Sequence, residues 1–242
     1  NNLPSNFRYT KTFGEVLEES GVPAISGVDT RMITKKLSRE GSTRAALVDA
    51  DMAVEDAVAL IKNTPVESDL ISRVSCRKRW FSRTPHHKFD VVAVDCGIKY
   101  SIIRRLNAWG CNVTIVPYNT SAEEILSFNP DGVMIPNGPG NPQDVPEVVQ
   151  TVKALVGKVP MFGIGLGMQL ISLAYGAESY KLKGGHRGGS PVKRLADGKL
   201  EMTSQNHSYA VREESLLNTR LEVTHRNLLD GSVEGVECVA DK

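Results

Sequence analysis

The sequence predicts an α/β protein: a mostly parallel sheet flanked by helices, followed by a mixed-strand extension and preceded by the remnant of a small N-terminal domain. Three observations predict it. From Phe89 onward apolar strands alternate with helices, which implies a parallel sheet covered on both faces. At Pro160 to Leu170 a short apolar strand enters a glycine-crowded turn and leaves as an apolar helix. After Gly176 the pattern changes to a series of shorter strand candidates.

The elements can be justified in order. Thr12 to Ser20 reads as a short helix stopped by Gly21 and Pro23. Asp29 is placed to cap a second helix, Thr30 to Glu40, with Gly41 as its stop and Met32, Ile33 and Leu37 along one face. Ala45 to Val48 is a strand candidate and Val54 to Lys62 a third helix. Residues 1–75 are read as the C-terminal part of a small domain, 76–88 as a polar linker containing Arg77-Lys78-Arg79 and His86-His87, and 89–242 as the α/β domain. In that domain the run Val91 to Val94 is the first strand, and Asp95-Cys96-Gly97 turns into a helix from Ile98 to Trp109. Asn112 to Pro117, Gly132 to Ile135 and Pro160 to Ile164 are the next strands. Ser121 to Phe128, Val145 to Val156 and a segment reaching Tyr175 are the helices between and after them. The later strand candidates are Glu178 to Leu182, Lys199 to Thr203, Tyr209 to Val211, Leu221 to Thr224 and Val233 to Cys238.

Composition excludes several classes. The 242 residues carry a formal net charge of +1, so bulk electrostatics argues for neither a nucleic-acid nor a membrane partner. No apolar run is long enough to span a bilayer, and the first residues lack the pattern of a signal peptide. The four cysteines, Cys76, Cys96, Cys111 and Cys238, are scattered, which indicates neither a zinc ribbon nor a disulfide framework and favours a reducing, cytoplasmic setting.

Four segments carry chemistry. Gly163-Ile164-Gly165-Leu166-Gly167 has the layout of a nucleophile elbow, G-x-Nuc-x-G, but Gly165 stands at the nucleophile position and has no side chain. A dinucleotide fingerprint is the alternative for this turn, and Met168 stands where its third glycine would fall. Pro136 to Pro142 is a Gly/Pro loop after a strand, suited to presenting backbone N–H groups to an oxyanion or a carboxylate. Thr203 to Tyr209 is dense in hydrogen-bonding groups. His207 within it is either a general base or a structural hydrogen-bonder. Gly184 to Gly189 contains Arg187, either a carboxylate partner or part of a surface turn.

These segments resemble the small, glutamine amidotransferase subunits of carbamoyl-phosphate synthetases, a class I amidotransferase family with a flavodoxin-like fold. The resemblance is carried by Ser26 to Lys36, Val94 to Lys99, Asn137 to Pro142, Phe162 to Gln169 and Thr203 to Val211. It implies hydrolysis of glutamine through a cysteine thioester, with ammonia delivered to a large-subunit partner for pyrimidine and arginine precursor synthesis. It also implies that Gly138, Gly140, Leu166, Gln169, Asn206, Ser208 and Tyr209 surround the glutamine, with no metal and no cofactor on this chain, ATP and Mg being expected only on the large subunit. The departures predict inactivity. The family's cysteine falls on Gly165, and Cys96 follows the first strand rather than occupying the elbow. The family's His-Pro-Glu segment, which follows the position of Lys242, does not occur in the sequence. The loop before Pro191 has Gly184 and Ser190 where the family carries an aromatic and an Asn-His pair. The chain is therefore expected to be an internal portion of such a protein, inactive as written. The alternatives are a non-catalytic partner of an ammonia-using synthetase and a nucleotide-binding module. Glycine tolerates positive φ, so Gly165 is expected to relieve the elbow of its strain.

Overall fold

The structure is a computed structural model that describes residues 4–241. It divides into two compact units, Asn1–Val66 and Glu67–Lys242. The first holds α1 (Phe13–Glu19), α2 (Thr30–Glu40) and α3 (Val54–Asn63). Their starts follow from local chemistry. Thr12 and Glu15 form a reciprocal capping box on α1, and the Asp29 carboxylate accepts from Met32 N at 2.9 Å to cap α2. The expected strand at 45–48 has no ladder partner and is irregular chain. Among the described residues of this unit no apolar side chain is buried, and the face of α2 carrying Met32, Ile33 and Leu37 is exposed.

The second unit begins earlier than the sequence suggests. Residues 67–75, read as part of the first domain, include α4 (Leu70–Val74), whose Ile71 is buried in the main core. Residues 76–88, read as linker, contain β1 (Trp80–Ser82), which pairs antiparallel with residues 113–115. Two side-chain anchors fix this stretch: Cys76 N donates to the Asp95 carboxylate at 2.8 Å, and Tyr118 N donates to Ser75 Oγ at 3.0 Å. A three-residue strand among charged residues shows no usable period, so its pairing is decided by tertiary contacts alone.

The remaining elements of the α/β half match the expected ones to within a few residues: β2 (Phe89–Asp95), α5 (Tyr100–Ala108), β3 (Cys111–Pro117), α6 (Ala122–Ser127), β4 (Gly132–Ile135), α7 (Pro146–Leu155), β5 (Met161–Gly163) and α8 (Leu166–Ala174). The five-stranded sheet has the order β1-β3-β2-β4-β5, with β2, β3, β4 and β5 parallel. Counting from β2, the parallel strands run 2-1-3-4, the flavodoxin-like order. Strand alternation splits the core in two. Val92, Val94, Val133 and Ile135 face Val148, Val152 and Leu170 of α7 and α8, while Ala93, Val113, Ile115 and Met134 face Ile103 and Leu106 of α5.

The extension is a closed antiparallel barrel, β6-β7-β9-β8, made of β6 (Ser179–Arg194), β7 (Leu200–Val211), β8 (Glu222–Asn227) and β9 (Val233–Glu237), with α9 (Glu213–Leu216) between β7 and β8. The strand predicted at 178–182 continues through the glycine stretch 184–189, read as a loop, because β7 supplies backbone partners from His186↔His207 to Lys193↔Leu200. Gly184 and Gly185 fall within a register shift between Lys181 and His186, while Gly188 and Gly189 pair in register with Gln205 and Ser204. Leu170 is fully buried in the main core, so Leu170→Ala is expected to cost about 2–5 kcal/mol in urea unfolding, with loss of the α8 packing as its cause.

Candidate functional site

The strand order puts the reversal between β2 and β4. Ligands of open α/β sheets bind at the carboxyl ends of the strands, at such a switch point. Here the turn after β2, the loop after β4 and the elbow after β5 converge. Asp95 closes the first turn: its Oδ1 accepts from Gly97 N at 3.0 Å and Ile98 N at 2.9 Å. Asn137 on the second loop donates through Nδ2 to the Gly97 carbonyl at 3.3 Å, and its buried Oδ1 makes no hydrogen bond within the protein. Gly138 is obligatory here, since a Cβ on it would lie 2.3 Å from the Cys96 carbonyl oxygen and 2.6 Å from Leu166 Cδ2.

The elbow is built by its flanking glycines. A Cβ at Gly163 would lie 2.6 Å from the Gly167 carbonyl carbon and from Met168 N, and one at Gly167 would lie 1.9 Å from the Ile135 carbonyl oxygen. Both positions must be bare for α8 to start so close to β4 and β5. Gly165 differs. A Cβ there would meet only Asn137 Cβ, at 4.0 Å, so the seat has room for a side chain. Its backbone has φ +56° and ψ −111°, a region that costs a residue with a side chain about 1–3 kcal/mol. Glycine occupies this backbone region without that strain. Gly165 also caps α8, so a group at this position faces the positive end of the helix dipole.

Three of the native thiols are held protonated. Burial, helped by the charge of Asp95, pushes the Cys96 thiol up to about 12. Burial likewise pushes Cys76 up to about 11 and raises Cys111. A thiol held protonated is a poor nucleophile.

The other sequence-predicted residues are distributed as follows. Leu166 is buried against Gly138. Gly140 has φ +89° and faces Leu70. Gln169 is buried, and its Nε2 donates to the Tyr209 carbonyl at 2.6 Å, so this amide ties α8 to β7. The Ser208 hydroxyl accepts from Arg187 Nη2 at 2.7 Å. Asn206 is exposed on β7 opposite Arg187. The structure therefore brings Asn137, Gly138, Gly165 and Leu166 into one place and links Gln169 with Tyr209 nearby along α8. Asn137 belongs to the loop motif but is not among the residues that the sequence assigns to glutamine. The signal that marks it is its place between a strand end and an obligatory glycine.

Comparison with known proteins agrees with this geometry. The family model for class-I glutamine amidotransferases matches residues 92–242, and that for the carbamoyl-phosphate synthase small chain, CPSase domain, matches residues 1–47. The chain belongs to the class-I glutamine amidotransferase family. Among individual proteins it is similar to carbamoyl phosphate synthase small chains: 50% identical over 236 residues to that of Bacillus cereus, covering 97% of this chain and 64% of the relative, and 48% identical over 234 residues to that of Staphylococcus saprophyticus, covering 96% and 63%. The chain thus spans just under two thirds of the length of these relatives. The solved structure of a candidate GMP synthase component from Thermoplasma acidophilum shares the fold, with a TM-score of 0.56 at 22% identity, covering 64% of this chain and 81% of that one. Among the described residues no helix is long and apolar enough to cross a membrane.

The contrast among the elbow glycines is measurable. Gly165→Ala is expected to fold and to lose about 1–3 kcal/mol, the cost of its backbone region alone. Gly167→Ala is expected to lose more than that, or to fail to fold, because its Cβ meets the Ile135 carbonyl. Urea titration of the two variants beside the unaltered chain checks the order, and equal losses would contradict it.

Proposed function

We propose that this chain is the amidotransferase part of a carbamoyl-phosphate synthase small chain and that, with Gly165 in the nucleophile seat, it turns over no glutamine. The observation carrying this reading is the elbow itself: a bend with nucleophile geometry, room for a side chain, and none present. Glutamine would lie at the ends of β2, β4 and β5. Gly138 and Gly140 would offer backbone donors to the carbonyl oxygen, and Leu166, Gln169, Asn206, Ser208 and Tyr209 would bound the rest. In the family reaction a thiolate forms a carbon–sulfur bond to the amide carbon, the amide nitrogen takes a proton and leaves as ammonia, and water then cleaves the thioester. A large subunit consumes the ammonia.

Without the sulfur the first bond cannot form. Donors and binding alone leave only a residual acceleration, roughly 10³–10⁴ over water in serine proteases stripped of their triad. A partner that docks on a synthetase using free ammonia is the second reading, favoured by the same bare seat and by the retention of the surrounding fold. The four free cysteines are consistent with the reducing, cytoplasmic setting assigned to either.

Release of ammonia from glutamine tests the inactivity. The unaltered chain is expected to give none above the buffer rate, and multiple turnovers would refute the assignment of Gly165 as the vacant position. Gly165→Cys supplies the complementary readout. Its new thiol, at the N-terminus of α8, is expected to react with iodoacetamide at least tenfold faster at neutral pH than Cys76, Cys96 or Cys111, which burial holds protonated.

A further inference from the structure

The barrel contains a cluster that the glutamine reading does not use. His186 on β6, His207 on β7 and Glu234 on β9 converge, with side chains 11%, 17% and 9% exposed. His186 Nδ1 lies 3.1 Å from His207 Nε2 and 3.0 Å from Glu234 Oε1, and His207 Nε2 lies 3.5 Å from Glu234 Oε2.

The outer hydrogen bonds decide what these atoms present to one another. His186 Nε2 lies 2.8 Å from Asp230 Oδ2, and a carboxylate only accepts, so this nitrogen carries a proton. His207 Nδ1 lies 2.8 Å from the Tyr209 carbonyl, which also only accepts, so it too carries a proton. Each ring thereby turns its second nitrogen toward the other ring and toward Glu234. Electron pairs converging on one point in a buried space repel one another, and a proton or a metal cation held between them relieves that repulsion. Glu234 is itself oriented by Asn227, whose Nδ2 donates to Oε1 at 2.9 Å and lies 3.5 Å from His186 Nδ1.

We infer that His186, His207 and Glu234 form a binding site for a divalent transition-metal ion, Zn²⁺ by its donor set. Two imidazoles and one carboxylate are a common zinc ligand set. Tetrahedral coordination at about 2.0–2.2 Å places neighbouring donors about 3.3–3.6 Å apart. One donor atom from each residue lies within 4.8 Å of the other two, and the two edges that meet at His186 Nδ1, 3.0 Å to Glu234 Oε1 and 3.1 Å to His207 Nε2, are slightly shorter than the edges of such a tetrahedron. The outer partners also have the form metal sites use: a carboxylate behind one histidine and a backbone carbonyl behind the other. The fourth position falls to water or to Gln205 Oε1, 3.4 Å from His207 Nε2.

The placement gives the ion a structural role. β7 and β9 are joined by a single register pair, Val211↔Val233, the weakest seam of the barrel. Glu234 adjoins that pair, and His186↔His207 is the cross-strand pair on the other side of β7. One ion bound to all three side chains would tie β6, β7 and β9 together.

The site is not legible in the chain. Its ligands are 21 and 27 residues apart, and no short spacing marks them. His207 alone stands out there, as a base or a structural group. Alternation along β7 turns Thr203, Gln205 and His207 inward and Met202, Ser204 and Asn206 outward, which settles it as inward-facing.

The test uses the tag-free full chain, stripped with a chelator, dialysed and titrated with Zn²⁺ alone. One equivalent retained per chain, with a rise in melting temperature, is expected. His207→Ala and Glu234→Gln should abolish retention, and Asp230→Asn, which leaves every ligand in place, should weaken it about 10–100-fold. Should the ligand variants fail to fold, Co²⁺ titration of the unaltered chain replaces them, with the strong visible bands of a tetrahedral site expected. Failure to retain Zn²⁺, retention unchanged in folded His207→Ala and Glu234→Gln, or an octahedral Co²⁺ spectrum would overturn the assignment and leave a proton shared between the histidines as what holds the cluster.

Discussion

The close seating of α8 on the end of β4 is the constraint from which the rest follows. The Ile135 carbonyl accepts from Ile164 N at 3.0 Å, and the bare face of Gly167 passes directly over it. No side chain fits between them. This contact sets how sharply the chain turns after β5, fixes the left-handed backbone at Gly165, and carries Leu170 into the core beside Val148 and Val152. A helix held this close also aims its N-terminal N–H groups at the crevice between β2 and β4, where the obligatory Gly138 lets the neighbouring loop approach.

Fold and chemistry separate cleanly at this point. The elbow is stabilised by packing of its flanking glycines and its helix, none of which needs an atom at the apex. A cysteine there would be held in an unfavourable backbone region by those same contacts, with strain as the cost of exposing the sulfur. With glycine, the contacts persist and the strain is gone. The native thiol of Cys96 shows why position matters more than residue type: it follows β2, fully buried beside Asp95, where its sulfur stays protonated.

Much of this is legible in the chain because parallel strands buried on both faces read as uninterrupted apolar runs. Val91 to Val94 and Gly132 to Ile135 are plain examples. The elbow is legible because three glycines at alternate positions, between an apolar strand and an apolar helix, have few other uses. What is hidden depends on partners distant in sequence. β1 is three residues whose pairing comes from β3, and Ile71 enters the core from a segment too short to show a period. The glycine stretch 184–189 looks like a loop by composition and is held extended only by β7. Gln169 reads as a substrate contact by motif, while the structure commits its amide nitrogen to the Tyr209 carbonyl.

That carbonyl connects the two halves of the second unit. It accepts from Gln169 of α8 and from His207 of β7, so the helix that begins after Gly165 and the barrel that carries the histidine cluster share one anchor. The most direct measurement of the central claim is the intact mass of the chain after exposure to a chloroketone analogue of glutamine, which captures a thiol at the amide-binding position. Addition of one adduct to Gly165→Cys, mapped to residue 165, with the unaltered chain left unmodified, is the result expected. A glutamine-protectable adduct on any of the four native cysteines of the unaltered chain would contradict the account.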